Sequence, residues 1–283
     1  MIVEHTVAGL RSAGTPQPRA VVTTMGALHD GHASLIRKAR SRVGDSGSVV
    51  VTVFVNPTQF AAGEDLDRYP RTLQTDVAVA EASGADVVFA PDAEEVYGPS
   101  RGFRETSVTV DAGPLGEILE GAARPGHFRG VLTVVAKLFG MTQPNLALFG
   151  EKDYQQLVLI RRMVDDLDLP VEVIGAPTVR DTDGLALSSR NHYLTAEQRL
   201  LATAIPRALD TVARRLEAGG DVAEAVARGL ELLTGTPDVD VDYLTVTDPD
   251  LGPAPPGGAA RALVAARVGS TRLIDNRAVT VSP

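Results

Sequence analysis

The stretch RAVVTTMGALHDGHASLIRKARSR, residues 19–42, is the most informative part of this 283-residue sequence. It begins with a short β-branched run at Arg19–Met25 and continues through a polar turn with two glycines. It ends in an amphipathic segment from His32 to Arg42, in which Leu35 and Ala39 lie on one helical face. The order strand, loop, helix predicts the first part of a parallel α/β unit.

The same alternation of strands and helices continues along the chain. Continuous apolar runs, typical of strands buried on both faces, are predicted at Ser48–Val55, Asp86–Ala90, Asn145–Phe149 and Val171–Ile174. Segments with helical periodicity separate them, at Arg71–Ala82, Val131–Phe139 and Tyr154–Leu167. Strands that alternate with helices build a parallel sheet through right-handed crossovers. We therefore predict a Rossmann-like open α/β sheet, with helices on both faces, over residues 1–178.

The chain after residue 178 has a different pattern. A polar turn, DTDGLALSSRN, comes first. Two helices and two short strands are predicted after it, at Ala196–Ala218, Val222–Leu233, Val239–Thr247 and Arg261–Val268. Residues 179–283 are expected to form a smaller C-terminal α+β domain that acts as a lid.

Composition argues against several classes of function. The absence of cysteine excludes disulfides, thiolate zinc sites and a cysteine nucleophile. The formal net charge of −9, from 36 acidic and 27 basic residues, argues against a binder of nucleic acid or anionic membranes. No apolar run has the length of a membrane span, and the first 20 residues lack the pattern of a secretion signal. We expect a cytoplasmic protein that binds small molecules.

The loop Met25–His32 is the first candidate site. His29 and His32, three residues apart at a predicted helix start, face the same space as the helix N–H groups, an arrangement that suits phosphate. A P-loop is excluded because His32-Ala33 stands where Lys-Ser/Thr is needed. Two other interpretations remain open here: structural histidines, or a metal pair that lacks a third ligand at an obvious spacing.

Two more loops follow predicted strands, and the carboxyl ends of parallel strands meet in one crevice. In FVNPTQF, Asn56 and Gln59 are candidates to bind a carboxylate or a neutral polar group, unless they only form a turn. In LFGEKDYQQL, Lys152 is a candidate to neutralise phosphate and Asp153 to cap a helix. The alternative for this segment is an exposed charged turn. Asp76 and Asp153 are carboxylates suited to magnesium, and spacing does not show whether either of them binds it.

Two segments carry weaker signals. In LSSRN, the hydroxyls of Ser188 and Ser189 and the guanidinium of Arg190 are suited to a triphosphate. In ARPGHFRG, Arg124, His127 and Arg129 are candidate anion contacts. Both segments also have the composition of ordinary loops.

Taken in order, MGALHDGH, FVNPTQF, RPGHFRGV, LFGEKDYQQL and LSSRN resemble the signature segments of the pantothenate synthetase (pantoate–β-alanine ligase) family. The resemblance covers most of residues 19–195. It implies a nucleotidyltransferase-superfamily enzyme whose His-x-Gly-His motif is His29–His32. It also implies that (R)-pantoate and β-alanine are joined to (R)-pantothenate, in coenzyme A biosynthesis, through a pantoyl-adenylate, with release of AMP and pyrophosphate. ATP is the implied co-substrate, with Mg²⁺, and the implied assembly is a homodimer.

The resemblance also implies roles for individual residues. The catalytic residues it implies are His32, His29, Lys152 and Arg190. The nucleotide contacts it implies are Met25, Gly26, Ala27, Leu28, His29, Asp30, Gly31, His32, Gly150, Glu151, Lys152, Asp153, Val179, Leu187, Ser188, Ser189 and Arg190. For pantoate and β-alanine it implies Gln59 and Gln156, and the loop arguments above add Asn56, Arg124 and His127.

Two other functions remain compatible with these residues. A nucleotidylyltransferase would use the same histidines but would stop after nucleotide transfer, and it would not need Gln59 and Gln156. A non-catalytic nucleotide-binding protein would bind ATP without turnover. Pyrophosphate formation that depends on an added acid distinguishes the ligase from the binding protein.

Overall fold

The computed structural model describes residues 1–60, 65–98 and 108–282. The chain divides into two compact units, Met1–Gly150 with Leu159–Ala176, and Glu151–Val158 with Pro177–Pro283. The predicted first domain, residues 1–178, includes Glu151–Val158, whereas the structure groups this segment with the second unit. The segment that contains Lys152 therefore belongs to the second unit.

The first unit contains a six-stranded sheet in which every neighbouring pair of strands is parallel. Its strands are β1 (Ile2–Glu4), β2 (Arg19–Thr24), β3 (Ser48–Val53), β4 (Val87–Phe89), β5 (Leu146–Gly150) and β6 (Glu172–Ala176). Their order in the sheet is β1-β4-β3-β2-β5-β6. The strand order reverses at β2, which lies between β3 and β5, and ligands of open α/β sheets bind at such a point. The prediction of an open parallel α/β sheet is confirmed.

Seven helices begin in the first unit or cross its boundary among the described residues. They are α1 (Val7–Ser12), α2 (Asp30–Val43), α3 (Leu73–Ala82), α4 (Ala93–Tyr97), α5 (Glu120–Ala123), α6 (His127–Thr142) and α7 (Tyr154–Asp166). The face of α2 that the sequence predicts to be apolar packs against the sheet: Ile36 and Ala39 are fully buried beside Val22 and Val51. Helix α6 extends the predicted Val131–Phe139 segment at both ends and begins at His127.

The second unit is the smaller α+β part predicted from the sequence. It contains the helices α8 (Ala196–Ala202), α9 (Ala204–Glu217) and α10 (Val222–Thr234), and the strands β7 (Val239–Thr247), β8 (Gly258–Val268) and β9 (Thr271–Val281). The three strands form an antiparallel sheet in the order β7-β8-β9. In the described ranges of both units, no helix combines the length and the apolar character needed to cross a membrane.

The second unit differs from the sequence prediction in two respects. The single helix predicted at Ala196–Ala218 is divided at Thr203, because Pro206 has no N–H for the carbonyl four residues earlier and its ring would clash there. Pro206 is accommodated in the first turn of α9, where that N–H is not needed. Strand β9 was missed, since Asp275 and Asn276 interrupt its apolar pattern and both residue types are rare in strands.

Candidate functional site

The loop after β2 has a conformation that only a few residue types adopt. Gly26 and Ala27 have φ angles of 87° and 51°, in the left-handed region that favours glycine. A Cβ at Gly26 would lie 3.0 Å from Asp76 Oδ2. The Gly26 N–H donates to Thr24 Oγ1 at 3.1 Å, which ties the turn to the end of β2. The turn is therefore tight enough to require glycine at position 26.

Asp76, in the first turn of α3, fixes the backbone of the loop after β2 by hydrogen bonds. It is only 1% exposed. Its carboxylate accepts the N–H groups of Ala27 at 3.3 Å and Leu28 at 2.7 Å, and the Thr72 hydroxyl at 3.2 Å. A buried carboxylate needs such donors to offset its desolvation. Both oxygens of Asp76 thus serve the loop, an arrangement that favours a positioning role over the magnesium contact considered from the sequence.

His29 and His32 form a reciprocal cap at the start of α2. The N–H of Gly31 donates to His29 Nδ1 at 3.1 Å, and the N–H of His29 donates to His32 Nδ1 at 3.3 Å. The two ring centroids are 4.2 Å apart. Because a nitrogen that accepts a hydrogen bond carries no proton, each neutral ring has its proton on Nε2. The pair therefore provides two Nε2–H donors at the positive end of a helix.

Gln59 lies beside this loop, at the end of the short turn Pro57–Gln59 that follows β3. Its Nε2 donates to Met25 Sδ at 2.9 Å, and its Oε1 accepts from Asn56 Nδ2 at 3.0 Å. The side-chain amide is thus oriented by a contact at each end. Gln59 and Met25, predicted from separate motifs, are brought together in the first unit.

Asn56 is the buried centre of a hydrogen-bond network, with 1% of its surface exposed. Its Oδ1 accepts the Tyr97 hydroxyl at 2.6 Å and the Thr58 hydroxyl at 2.9 Å. Its Nδ2 donates to Gly130 O at 3.2 Å as well as to Gln59. Burial raises the pKa of Tyr97, which keeps its hydroxyl protonated as a donor. Asn56 therefore makes its hydrogen bonds inside the protein and orients Gln59.

Arg124 and His127 hold the backbone of the same turn. His127 Nδ1 donates to Gln59 O at 2.8 Å, and Arg124 Nη1 donates to His127 Nε2 at 2.9 Å. The helix α6 approaches so closely that a Cβ at Gly130 would lie 2.4 Å from Thr58 O. The segment ARPGHFRG thus contacts FVNPTQF, and its two basic side chains reach the Gln59 carbonyl.

A cavity of about 460 Å³ lies next to the loop after β2. Its apolar lining includes Val55, Pro57 and Leu66, and Arg71 and Asp76 also line it. Of the site residues predicted from the sequence, Met25 and Gly26 line this cavity, whereas His29, His32 and Gln59 do not.

In the second unit, Lys152 lies in the turn Glu151–Asp153 before α7. Its Nζ is 3.3 Å from Asp153 Oδ1 and its side chain is largely buried. Asn276 of β9 donates from Nδ2 to the carbonyl oxygens of Glu151 at 2.9 Å and Lys152 at 2.7 Å. The C-terminal sheet therefore anchors the backbone that carries Lys152.

Arg261 of β8 provides a second anchor for this turn. Its Nη2 is 2.9 Å from Glu151 Oε2, and its guanidinium carbon lies 3.9 Å from the centroid of the Tyr154 ring. The Tyr154 hydroxyl donates to Pro249 O at 2.9 Å. The ion pair and the cation–π contact both restrict the start of α7.

Val179 and Leu187, both predicted nucleotide contacts, face each other across a short hairpin. The N–H of Leu187 donates to Val179 O at 2.9 Å. Arg180, in the same hairpin, forms a bidentate pair with Asp275 of β9, at 2.6 Å and 2.9 Å. This hydrogen-bonded pair raises the pKa of Arg180. Strand β9 therefore also anchors the hairpin.

The segment Ser188–Arg190 continues directly from this hairpin. The Ser188 hydroxyl accepts the N–H of Arg190 at 3.2 Å and caps the turn Ser189–Tyr193. Asn191 Nδ2 donates to Ala186 O at 3.0 Å. These contacts fix the backbone beneath Ser189 and Arg190.

Several residues that shape these segments were missed by the sequence analysis. Tyr97, Asp275, Asn276 and Arg261 hold candidate segments by contacts with residues far away in the chain. A detectable signal exists for one pair: two adjacent polar residues interrupt the apolar run of β9. Across the described residues, no three His, Asp or Glu side chains are grouped to hold a metal ion. The metal-pair interpretation of His29 and His32 therefore still lacks a third ligand there.

Residues 2–278 match the sequence model of the family described as Pantoate-beta-alanine ligase. The chain is 62% identical to the pantothenate synthetase of Nocardioides sp. over 265 residues, which is 90% of this chain and 77% of that relative. It is 51% identical to the pantothenate synthetase of Salinispora arenicola over 282 residues, 99% of this chain and 98% of that one.

Comparison with solved structures finds the same family. The fold is similar to that of pantothenate synthetase from Thermus thermophilus, with a TM-score of 0.92, 49% identity and full coverage of both chains. It is also similar to a pantoate-beta-alanine ligase from Francisella tularensis, crystallised with Beta-gamma ATP and Beta-alanine. That likeness has a TM-score of 0.77 and 33% identity, and covers 98% of this chain and 97% of the other.

Proposed function

The chain belongs to the pantoate-beta-alanine ligase family, and we propose that its Met25–His32 loop and Gln59 carry the ATP-dependent joining of pantoate to β-alanine. The enzyme forms pantothenate, with release of AMP and pyrophosphate. The observation that carries the assignment of residues is the geometry at Gln59, whose amide is oriented at both ends beside the histidine loop. The Francisella tularensis relative, crystallised with Beta-gamma ATP and Beta-alanine, supports ATP and β-alanine as ligands.

In the first step, a carboxylate oxygen of pantoate attacks the α-phosphorus of ATP. The new O–P bond forms as the bond from phosphorus to the pyrophosphate oxygen breaks, which yields pantoyl-adenylate and pyrophosphate. Negative charge accumulates on the phosphate oxygens, so catalysis depends on positioning and on preorganised positive charge and hydrogen-bond donors. We assign this stabilisation to the Nε2–H groups of His29 and His32, and to Lys152 and Arg190.

The remaining nucleotide contacts are proposed from both parts of the chain. In the first unit they are Met25, Gly26, Ala27, Leu28, Asp30, Gly31 and Gly150. In the second unit they are Glu151, Asp153, Val179, Leu187, Ser188 and Ser189. Backbone N–H groups at the start of α2 that the His29–His32 cap does not use are suited to phosphate oxygens, because the N–H groups of a first helical turn have no acceptor within the helix.

In the second step, the β-alanine amine attacks the acyl carbon of the adenylate. The C–N bond forms, the C–O bond to AMP breaks, and the nitrogen loses a proton. We propose that Gln59 binds both pantoate and β-alanine, and that Gln156 binds pantoate. Asn56, Arg124 and His127 contribute through Gln59, because their hydrogen bonds reach its side chain or carbonyl.

We propose that ATP binds as its magnesium complex, in which the ion would neutralise charge on the pyrophosphate. The described residues have no cluster of three His, Asp or Glu side chains for a resident ion, so no step is assigned to a protein-bound metal. A homodimer, a cytoplasmic location and a lid role for the second unit also stay predictions. Light scattering of the purified chain tests the dimer.

The experiment measures pyrophosphate release from Mg-ATP, first with pantoate alone and then with β-alanine added. A ligase releases about one equivalent with pantoate alone, since the adenylate stays bound, and turns over continuously once β-alanine is present. His32→Ala and Lys152→Ala are expected to slow the first step. Acid-independent nucleotide transfer would favour a nucleotidylyltransferase, and tight ATP binding without turnover would favour a binding protein.

A further inference from the structure

Strand β9 places two buried polar residues next to each other. Asp275 and Asn276 are each 4% exposed, in a strand whose other buried side chains are mostly apolar. Burial of two polar side chains is unfavourable unless they form hydrogen bonds. The hydrogen-bond partners of Asp275 and Asn276 therefore indicate the role of these two residues.

The partners of Asn276 are two consecutive carbonyl groups, those of Glu151 and Lys152. One side-chain amide thus binds the backbone carbonyl groups on both sides of the Lys152 Cα atom. An amide oxygen cannot donate a hydrogen bond, so it is the NH₂ end of the Asn276 side chain that faces the two carbonyl oxygens, at 2.9 Å and 2.7 Å. A carboxylate at this position would face both oxygens with like partial charges.

The partner of Asp275 is Arg180, at the base of the hairpin that leads to Ser188–Arg190. The two carboxylate oxygens meet the two terminal guanidinium nitrogens, and Arg180 also donates to Gly184 O at 3.1 Å and Asn276 O at 3.3 Å. A bidentate pair of this kind fixes direction as well as distance.

We propose that Asp275 and Asn276 are a positioning pair for adenylate formation, which holds Lys152 and the segment Val179–Arg190 in register with each other. The inference rests on the proposed function of those segments in nucleotide binding. Both segments are anchored within the second unit to adjacent residues of one strand. A displacement of about 1 Å between catalytic groups reduces rates by orders of magnitude, so loss of either anchor affects the nucleotide step.

The test compares Asn276→Ala and Asp275→Asn with the wild-type enzyme in steady-state kinetics. Loss of two partly buried hydrogen bonds in Asn276→Ala is expected to raise KM for ATP about tenfold. The KM for β-alanine is expected to stay within about twofold, because β-alanine enters after adenylate formation. A purely structural role would lower the fraction of active enzyme, and hence kcat, without raising KM for ATP.

A matched control removes a different ion pair from the same sheet. Asp242→Asn removes the charge that Asp242 of β7 pairs with Arg272, which also lies on β9. Its KM for ATP is expected to match that of the wild type. Asn276→Ser, which keeps one donor at lower cost to folding, is expected to give an intermediate KM and covers the case in which Asn276→Ala does not fold.

Calorimetric titration with α,β-methylene-ATP separates this inference from the proposed function. If the wild type binds the analogue but forms no pantoate-dependent pyrophosphate, the proposed function fails while the positioning pair remains testable by affinity. Weaker binding of the analogue by Asn276→Ala and Asp275→Asn supports the pair. Equal affinity in all folded variants, with unchanged KM for ATP, overturns it.

Discussion

His29 and His32 use the two nitrogens of each ring for different purposes. Nδ1 accepts a backbone N–H and completes the cap of α2, which leaves Nε2 as the proton-bearing atom. Protonation of Nδ1 would place two N–H groups opposite each other and break the cap. In its neutral form each ring therefore completes the cap through Nδ1 and offers a donor to phosphate through Nε2.

Replacement of His32 by asparagine separates these two purposes. The asparagine Oδ1 occupies about the place of Nδ1 and keeps the hydrogen bond from the His29 N–H, but it supplies no donor at the Nε2 position. We expect His32→Asn to unfold at the wild-type temperature and to lose on the order of 10²-fold or more in pyrophosphate formation, the usual effect of removing one such donor. Thermal denaturation and single-turnover kinetics measure the two effects. Activity close to wild type would contradict the assignment of Nε2.

The burial of Tyr97 makes the free energy of unfolding depend on pH in the alkaline range. Its raised pKa means that, as pH rises, the unfolded chain loses the hydroxyl proton before the native protein does. The stability contributed is fully present below about pH 10, the ordinary tyrosine value, and is lost as pH rises through the raised pKa. We expect Tyr97→Phe to lose about 1 kcal/mol at neutral pH and to show a smaller alkaline decline. Denaturant titrations from pH 8 to pH 11 test this; an identical alkaline decline in both proteins would refute it.

The contact between α6 and the turn Pro57–Gln59 shows how an element positions a side chain. Gly130 lets the helix backbone approach Thr58 closely, and His127 at the helix start reaches the Gln59 carbonyl. Asn56 joins the two elements from inside. The orientation of Gln59 therefore depends on helix packing as well as on its own turn.

Gly130→Ala is expected to destabilise the protein by about 1–3 kcal/mol, because its Cβ must displace a backbone carbonyl. The shift moves Gln59, so we expect KM for pantoate and β-alanine to rise more than KM for ATP. Gly140→Ala on the same helix is the control: no atom lies within 4 Å of its Cβ, and we expect equal or higher stability. Equal effects of the two substitutions on the three KM values would contradict the claim that the close approach of α6 at Gly130 positions Gln59.

The chain has a formal net charge of −9, and its substrates ATP and pantoate are also anions. Attraction must therefore come from a few local groups, for which the charged side chains of Lys152 and Arg190 and the Nε2–H donors of His29 and His32 are the candidates. Acidic side chains farther than about 8 Å from a bound anion are largely screened at physiological ionic strength. A chain with an acidic surface is thus compatible with an anion-binding site.

Nucleotide binding is expected to stabilise the folded chain as a whole. A ligand that binds only the native state, at one hundred times its Kd, adds about 2.7 kcal/mol to the free energy of unfolding. We expect α,β-methylene-ATP to raise the unfolding temperature of the wild type, and to raise that of Asn276→Ala less at the same concentration. Differential scanning calorimetry measures both shifts. Absence of any shift in the wild type at saturating analogue would contradict nucleotide binding.

The class of fold and the candidate segments could be predicted because their signals are local. Continuous apolar runs identify the strands β2, β3 and β5, and apolar residues with a period of 3.6 identify the helices α2 and α7, in each case from residues that are neighbours in the chain. Polar residues directly after strands β2 and β3 mark a functional edge, because the ends of parallel strands meet there.

The partners of buried polar groups could not be predicted in this way. Asn276 contacts a carbonyl 124 residues earlier, and Asp76 accepts the N–H of a loop residue 48 positions before it. No periodic pattern encodes such a contact, because hydrogen-bond geometry depends on how the packed elements place two distant backbones. The chemistry of the candidate residues is thus readable from their types and spacing, whereas the groups that orient them are known only once the chain has folded.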